Sequence, residues 1–276
     1  MMKSISVLMT AYNAKDVMSE AIESILNQSF TDFELIIVND GASDTARSII
    51  RSCTDKRVHV IDNEHDYIYS LNTGLKAAKG KYLARMDTSD IAHVDRLKIQ
   101  YAIMEALPEI TVCSSWIQIF GAKTPAKTLR HNFSGFIENP LPQFLHGNFV
   151  CGPSTMTRNA FIKEHNLLYE AYTDLEDYKF WVEAAKSGAV FYVESQPLVF
   201  KRTDDAQTAT TDKDVQIQTA SKIKREILDA LCIKYEKYPA LKLLSASLYE
   251  LLDNQWIAED DIMKIAHTLF TKNKDK

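Results

Sequence analysis

The chain has 276 residues, with 32 basic against 37 acidic side chains for a formal charge of -5 and 46% hydrophobic residues. That length supports one large domain with an appendage or two modest ones, and the near-balanced charge excludes a general electrostatic attraction for nucleic acid. Cys53, Cys113, Cys151 and Cys232 stand far apart, which excludes paired zinc-ligand spacing and a disulfide scaffold and predicts buried free thiols in a reducing compartment.

The amino terminus runs straight into a strand pattern, with no signal-type apolar region and no stretch of bilayer-spanning length, so the expectation is a soluble cytoplasmic protein. Ile5 to Met9 read as a buried strand that ends at Thr10, Ala11, Tyr12 and Asn13, and Asn13 is placed to cap the next helix. Ala21, Ile22, Ile25 and Leu26 then recur at helical spacing. Leu35 to Val38 form a second strand closed by Asn39, Asp40 and Gly41, followed by a helix whose apolar side is Ala46, Ile49, Ile50 and Cys53. Val58 to Ile61 make a third strand, and Leu71, Leu75 and Ala78 mark a third helix. Tyr82 to Met86 make a fourth strand, stopping abruptly at Asp87. Strands alternating with helices predict a mostly parallel α/β sheet with right-handed crossovers.

Parallel strands bring their carboxyl ends to one edge, where ligands bind in open sheets. Thr10 and Tyr12, Asp40, and Asp87 with Ser89 and Asp90 follow three different strands and are expected to converge there. Each cluster alone is equally a polar turn or a helix cap. Together they suit a nucleotide: Tyr12 can stack on a base, Asp40 can accept from a base or ribose donor, and oxygen ligands at Asp87 suit a hard divalent cation that neutralises a diphosphate. The turn Met9–Asn13 lacks the glycines of a dinucleotide fold. Gly80-Lys81 precedes a strand rather than opening a helix, which speaks against a P-loop.

From about Ser4 to Gln207 the chain resembles the family 2 glycosyltransferases of the GT-A fold. The likeness is carried by SVLMTAYN at Ser6 to Asn13, SILNQSFTDFELIIVNDGASDT at Ser24 to Thr45 and LNTGLKAAKGKYLARMDTSD at Leu71 to Asp90. Two shorter stretches add to it, DRLKIQ at Asp95 to Gln100 and LEDYKFW at Leu175 to Trp181. The resemblance implies a hexosyl-type transfer from a nucleotide diphosphate sugar, usually a uridine one, to the hydroxyl of a glycan or lipid-linked acceptor with inversion, in polysaccharide or glycoconjugate synthesis. It implies that Thr10, Ala11, Tyr12, Asp40 and Asp87 bind the nucleotide, that Asp87 opens a D-x-D motif for Mg2+ or Mn2+, and that Asp177 is the base. Three positions depart from the family pattern. Ser89 replaces the second acid and is a weak neutral ligand, which Asp90 or a water has to supplement. Asp204, two residues after Arg202, stands where some members have histidine and can restore an oxygen ligand. Gly152 likewise stands where histidine is common, near the acceptor.

Apart from that likeness, Glu176 and Asp177 open an apolar helix, where a carboxylate serves either as a base within reach of an acceptor hydroxyl or as a complement to the helix dipole. Gly121 to Gly147 is rich in loops, with Pro125, Pro140 and Pro142 and aromatics Phe133, Phe136 and Phe144, and suits a lid or an acceptor wall. His131 and His146 read as surface or packing residues, Trp116 and Trp181 as core. After a strand at Pro197 to Lys201, a polar stretch from Thr203 to Asp214 reads as a linker. The expected division is therefore a catalytic domain at 1–205 and a helical extension at 213–276. Lys222, Lys224, Arg225, Lys234 and Lys237 in that extension form either a solvated helix face or a peripheral contact with acidic lipid headgroups at the inner face of a membrane. A nucleotide-sugar-binding protein of the same fold without turnover is the competing functional reading.

Overall fold

The structure is a computed structural model that describes residues 3–12, 17–121, 126–129, 134–203, 213–235, 239–254 and 256–272. In chain order the elements begin β1 (Ile5–Ala11), α1 (Met18–Leu26), β2 (Phe33–Asp40), α2 (Asp44–Ser52), β3 (Val58–Asn63), α3 (Tyr67–Ala77) and β4 (Tyr82–Asp87). They continue β5 (Ile91–Ala92), α4 (Arg96–Ala106), β6 (Val112–Phe120), β7 (Lys127–Leu129), β8 (Gly135–Ile137), α5 (Pro140–Gln143), β9 (Met156–Arg158) and α6 (Asn159–Glu164). The last are α7 (Glu176–Lys186), β10 (Phe191–Arg202), α8 (Lys213–Tyr235), α9 (Pro239–Asp253) and α10 (Glu259–Lys272).

The chain divides into two compact units, and the second gathers Glu138–Phe149 and Tyr172–Gly188 together with the carboxyl-terminal helices. Residues distant in sequence join it because α5 packs with α8 and α10, and α7 packs with α5 and α8.

The first unit is built on one sheet in the order β3-β2-β1-β4-β9-β6-β10-β5, with β7 beside β6 and β8 beside β10. The strands from β3 to β4 are parallel, as the alternation of strands and helices predicts. The short β9 runs antiparallel between β4 and β6, and antiparallel β5 pairs with β10. The sheet is therefore mixed at its far side, with the parallel half carrying the motifs. Every residue of β2 is buried, whereas β3 at the edge is half exposed, which explains why β2 reads as a continuous apolar run and β3 does not. The strand expected at Pro197 to Lys201 extends back to Phe191, because irregular pairing around Pro197 interrupts the apolar pattern without ending the strand. None of the four cysteines forms a disulfide, but only Cys113 is fully buried, which corrects the expectation of burial for Cys53, Cys151 and Cys232. Trp181 is buried and Trp116 partly so. The Asn13 cap, His131, Phe133 and Pro125 lie outside the described residues.

In the second unit, Tyr178 on α7 donates its hydroxyl to the Phe144 carbonyl, and Asn139 Nδ2 donates to the Phe270 carbonyl at 3.0 Å. His267 on α10 lies 2.9 Å from Gln143 Oε1 and packs its ring 4.1 Å from that of His146. Burial and His146 hold the His267 proton affinity below its ordinary value of 6.5.

Two outcomes follow from this packing. A Cβ at Gly74 of α3 would lie 2.0 Å from Leu8 Cδ1 in β1, so Gly74→Ala overpacks the helix–sheet seam and is expected to lower stability by about 1–3 kcal/mol in thermal unfolding, despite alanine's better helix propensity. Because His267 resists protonation in the fold, its stabilisation is present above its ordinary value and is lost as pH falls through it. The unfolding temperature of the wild type should accordingly fall relative to His267→Gln between about pH 7 and pH 5.

Candidate functional site

The order of strands reverses between β1 and β4, since β2 and β3 extend to one side of β1 and β4 lies on the other. Such a reversal parts the flanking loops and opens a crevice beyond the strands' carboxyl ends. The register sets Thr10 opposite Asp87 on one side and Val38 on the other, and Ala11 opposite Asn39. Tyr12 follows directly and is 42% exposed. Thr10, Ala11, Tyr12, Asp40 and Asp87 thus share one edge, with Ser89 and Asp90 in the turn beyond. Asp204 lies outside the described residues, and Asp177 belongs to the second unit.

At one end of this edge, Asp40 is 1% exposed and held by its own chain. Its Oδ1 accepts from the Asp66 amide at 2.9 Å and from Ser70 Oγ at 2.7 Å, and its Oδ2 lies 3.2 Å from His65 Nδ1. The turn after β2 is fixed by Asn39, which gives Nδ2 to Asp62 at 2.6 Å and accepts the Ala42 amide at 3.0 Å. Gly41 has φ +66°, and a Cβ there would lie 2.9 Å from His65 Cβ, so the close approach of the two loops requires glycine. Sequence reading missed His65 because a lone histidine in a loop carries no periodic signal.

At the other end, Asp87 Oδ1 accepts from the buried Arg85 Nη2 at 3.0 Å, while Arg85 also donates to the Tyr67 hydroxyl at 2.6 Å. The β5–β10 pairing draws Arg202 against the turn, where its amide donates to Asp90 Oδ1 at 3.0 Å and its Nε to the Ser89 carbonyl at 3.2 Å. Asp90 is 1% exposed, and its Oδ2 has no hydrogen-bond partner. Burial and the Asp87 charge push its proton affinity up to about 7. The Lys201 ammonium is held above its ordinary value by Cys151, Asp87 and Asp90 nearby. A buried carboxylate oxygen without a donor is costly unless a proton or a cation meets it. Together with Asp87 it offers hard oxygen donors of the kind that suit a divalent cation such as Mg2+ or Mn2+. Among the described residues no group of three or more histidine, cysteine or acidic side chains converges as a metal centre.

Behind this turn lies a frame that sequence reading recognised only as a family match. Arg96 of α4 is fully buried, gives Nη2 to the carbonyls of Arg85 at 2.8 Å and Thr155 at 3.1 Å, and gives Nε to Gln100 Oε1 at 3.1 Å. Gln100 in turn donates to the carbonyls of Cys113 at 3.0 Å and Ser154 at 2.9 Å. One helical turn therefore ties together β4, β6 and the segment at Gly152–Ser154. The signal was present as an arginine and a glutamine at helical spacing, within an otherwise apolar face.

In the second unit, Glu176 and Asp177 form the half-buried first turn of α7. The helix is anchored behind them by Lys179, which bonds Glu183 at 2.7 Å and Glu226 of α8 at 2.5 Å, and Tyr172 also donates to Glu226 at 2.6 Å.

Comparison with known proteins places this arrangement in context. Residues 6–165 match the model described as Glycosyl transferase family 2. The chain is 34% identical over 235 residues to an uncharacterized glycosyltransferase of Haemophilus influenzae, covering 80% of this chain and 72% of that one. It is 32% identical over 102 residues to the Escherichia coli UDP-Glc:alpha-D-GlcNAc-diphosphoundecaprenol beta-1,3-glucosyltransferase WfgD, covering 36% of this chain and 40% of that one. The fold is similar to that of S. aureus TarS 1-349 in complex with UDP-GlcNAc, with a TM-score of 0.66 at 17% identity over 83% of this chain and 66% of that one. Some relatives are much longer, and the chain spans 31% and 44% of two rickettsial glycosyltransferases.

Arg96→Met removes the guanidinium donor to the Arg85 carbonyl and leaves the Thr155 carbonyl with the Arg85 amide at 3.2 Å alone, and is expected to cost about 1–3 kcal/mol in denaturant unfolding. Gln100→Leu should act in the same direction.

Proposed function

Since the chain belongs to glycosyl transferase family 2, we propose that it moves a hexosyl group from a uridine diphosphate sugar to the hydroxyl of a glycan or lipid-linked acceptor, with inversion at the anomeric carbon. The observation that carries this reading is the register that sets Thr10 opposite Asp87 at the reversal of strand order, with Tyr12 and Asp40 on the same edge. Tyr12 stacks on the base, Asp40 Oδ2 accepts from its imide N–H, and Thr10 and Ala11 line the approach. Asp87 and Asp90 are the carboxylates suited to holding a divalent cation, with Ser89 and Asp204 as further oxygen donors. When bound, the cation supplies Lewis-acid stabilisation of the departing diphosphate.

Asp177 is the proposed base. It takes the proton of the acceptor hydroxyl as that oxygen bonds to the anomeric carbon, and the bond to the diphosphate breaks with its electron pair leaving on UDP. The LEDYKFW likeness and the half-buried start of α7 support the assignment. The donor class is supported by the names of the E. coli glucosyltransferase and of the TarS complex, which describe those proteins.

Among the described residues no helix is long and apolar enough to cross a membrane. Of the basic residues in the helical extension, Lys224 pairs with Asp260 at 3.1 Å and Lys222 lies 4.4 Å over the Tyr172 ring, so these two serve packing within the second unit. Lys237 lies outside the described residues. A peripheral contact with acidic lipids is part of the proposal only for a lipid-linked acceptor.

The second reading, binding without turnover, is favoured by Ser89 in place of an acid and by the engagement of Asp87 with Arg85. Isothermal titration with UDP, in Mn2+ or Mg2+ and in EDTA, should show tighter binding with the cation. Release of UDP from a panel of donors and acceptors separates the readings, because binding with no release supports the second. Asp177→Asn is expected to keep UDP affinity while slowing transfer by about 10²–10⁴-fold. Full transfer by that variant removes Asp177 from the mechanism.

A further inference from the structure

His65 lies in the short loop between β3 and α3. Its imidazole is stacked on Tyr12, with ring centroids 4.1 Å apart and planes within 5° of parallel. Its Nδ1 lies 3.2 Å from Asp40 Oδ2, and a carboxylate acceptor there requires the proton to sit on Nδ1. The ring therefore makes, from within the chain, the two contacts assigned above to the nucleotide base: a flat stack on Tyr12 and an N–H given to Asp40. The choice of oxygen reinforces the likeness. Asp40 Oδ1 already accepts from Asp66 and Ser70, so Oδ2 is the oxygen with capacity for a further donor, and His65 uses that one.

The side chain is also free to leave. It is 55% exposed, while its loop stays fixed through the Asp66 amide on Asp40 and through the Asp66 carboxylate, which caps α3 by accepting the Tyr69 amide at 2.9 Å. Rotation about its own side-chain bonds clears Tyr12 and Asp40 without disturbing the backbone or the core.

We infer that His65 is an internal stand-in for the nucleotide base, which an incoming base has to displace from Tyr12 and Asp40 before it can bind. This rests on the reading of those two residues as the base site. Displacement by a side chain reduces apparent affinity by the fraction of chains in which the site is cleared. The penalty is the same for every ligand that needs the base site, whatever phosphates it carries.

The test is isothermal titration of uridine and of UDP into wild type, His65→Ala and His65→Phe, with thermal unfolding to establish that each is folded. His65→Ala is expected to bind both ligands about three- to tenfold more tightly, by the same factor for each. His65→Phe keeps the stack without the N–H, and is expected to show a smaller gain. Equal or weaker uridine binding by these folded variants overturns the inference, as does a gain for UDP with none for uridine. Weaker binding of UDP alone identifies His65 instead as a phosphate contact. Tyr12→Ala and Asp40→Asn test the underlying reading separately. If they bind uridine as the wild type does, the base-site assignment fails and the inference fails with it. If they weaken binding while His65→Ala does not tighten it, only the role of His65 is lost.

Discussion

The buried guanidinium of Arg96 is the interaction on which the first unit's ligand edge depends. Taking an arginine fully out of water costs several kcal/mol unless its donors are met, and here carbonyls of β4 and of the turn before β9 meet them, together with Gln100. Burial lowers the proton affinity of Arg96 to about 10, while Cys151, Asp90, Cys113 and Asp87 oppose that shift, so it remains a cation at neutral pH. A fixed positive charge thus sits behind the acidic turn. It offsets part of the repulsion between Asp87 and Asp90, and its hydrogen bonds hold the end of β4 against the neighbouring strands.

The two ends of the edge are finished differently, and the difference bears on how the proposed nucleotide diphosphate would be gripped. Around Asp40 the chain satisfies its own polar groups, with three donors from the loop and helix after β3. Around Asp90 it leaves a buried oxygen unmet and raises the proton affinity of the carboxylate. On the proposed reading a base would enter the first end by exchanging one partner for another, whereas a cation at the second would relieve an existing electrostatic cost.

The likeness to family 2 glycosyltransferases was readable because its motifs coincide with the parallel strands. β1, β2 and β4 are apolar runs that stop at polar residues, and that pattern alone predicts both the sheet and the edge where Thr10, Asp40 and Asp87 gather. Other features had no such signature. The edge strand β3 and the irregular β10 blur the apolar pattern, and the division into two units is not contiguous. α5 and α7 join the carboxyl-terminal helices through packing, which a linker-like composition does not reveal.

The sequence by itself determined the alternation of strands and helices, the position of each polar cluster at a strand's end, and the residue types suited to a base, a diphosphate and a cation, because side-chain periodicity and composition are local properties. Only the tertiary structure decided that strand order reverses between β1 and β4, that Arg96 and Gln100 lock the turn from behind, that Asp90 keeps an unmet buried oxygen, and that His65 lies on Tyr12 against Asp40. Those are facts about which distant groups meet and how far water is excluded from them, and no local pattern encodes either.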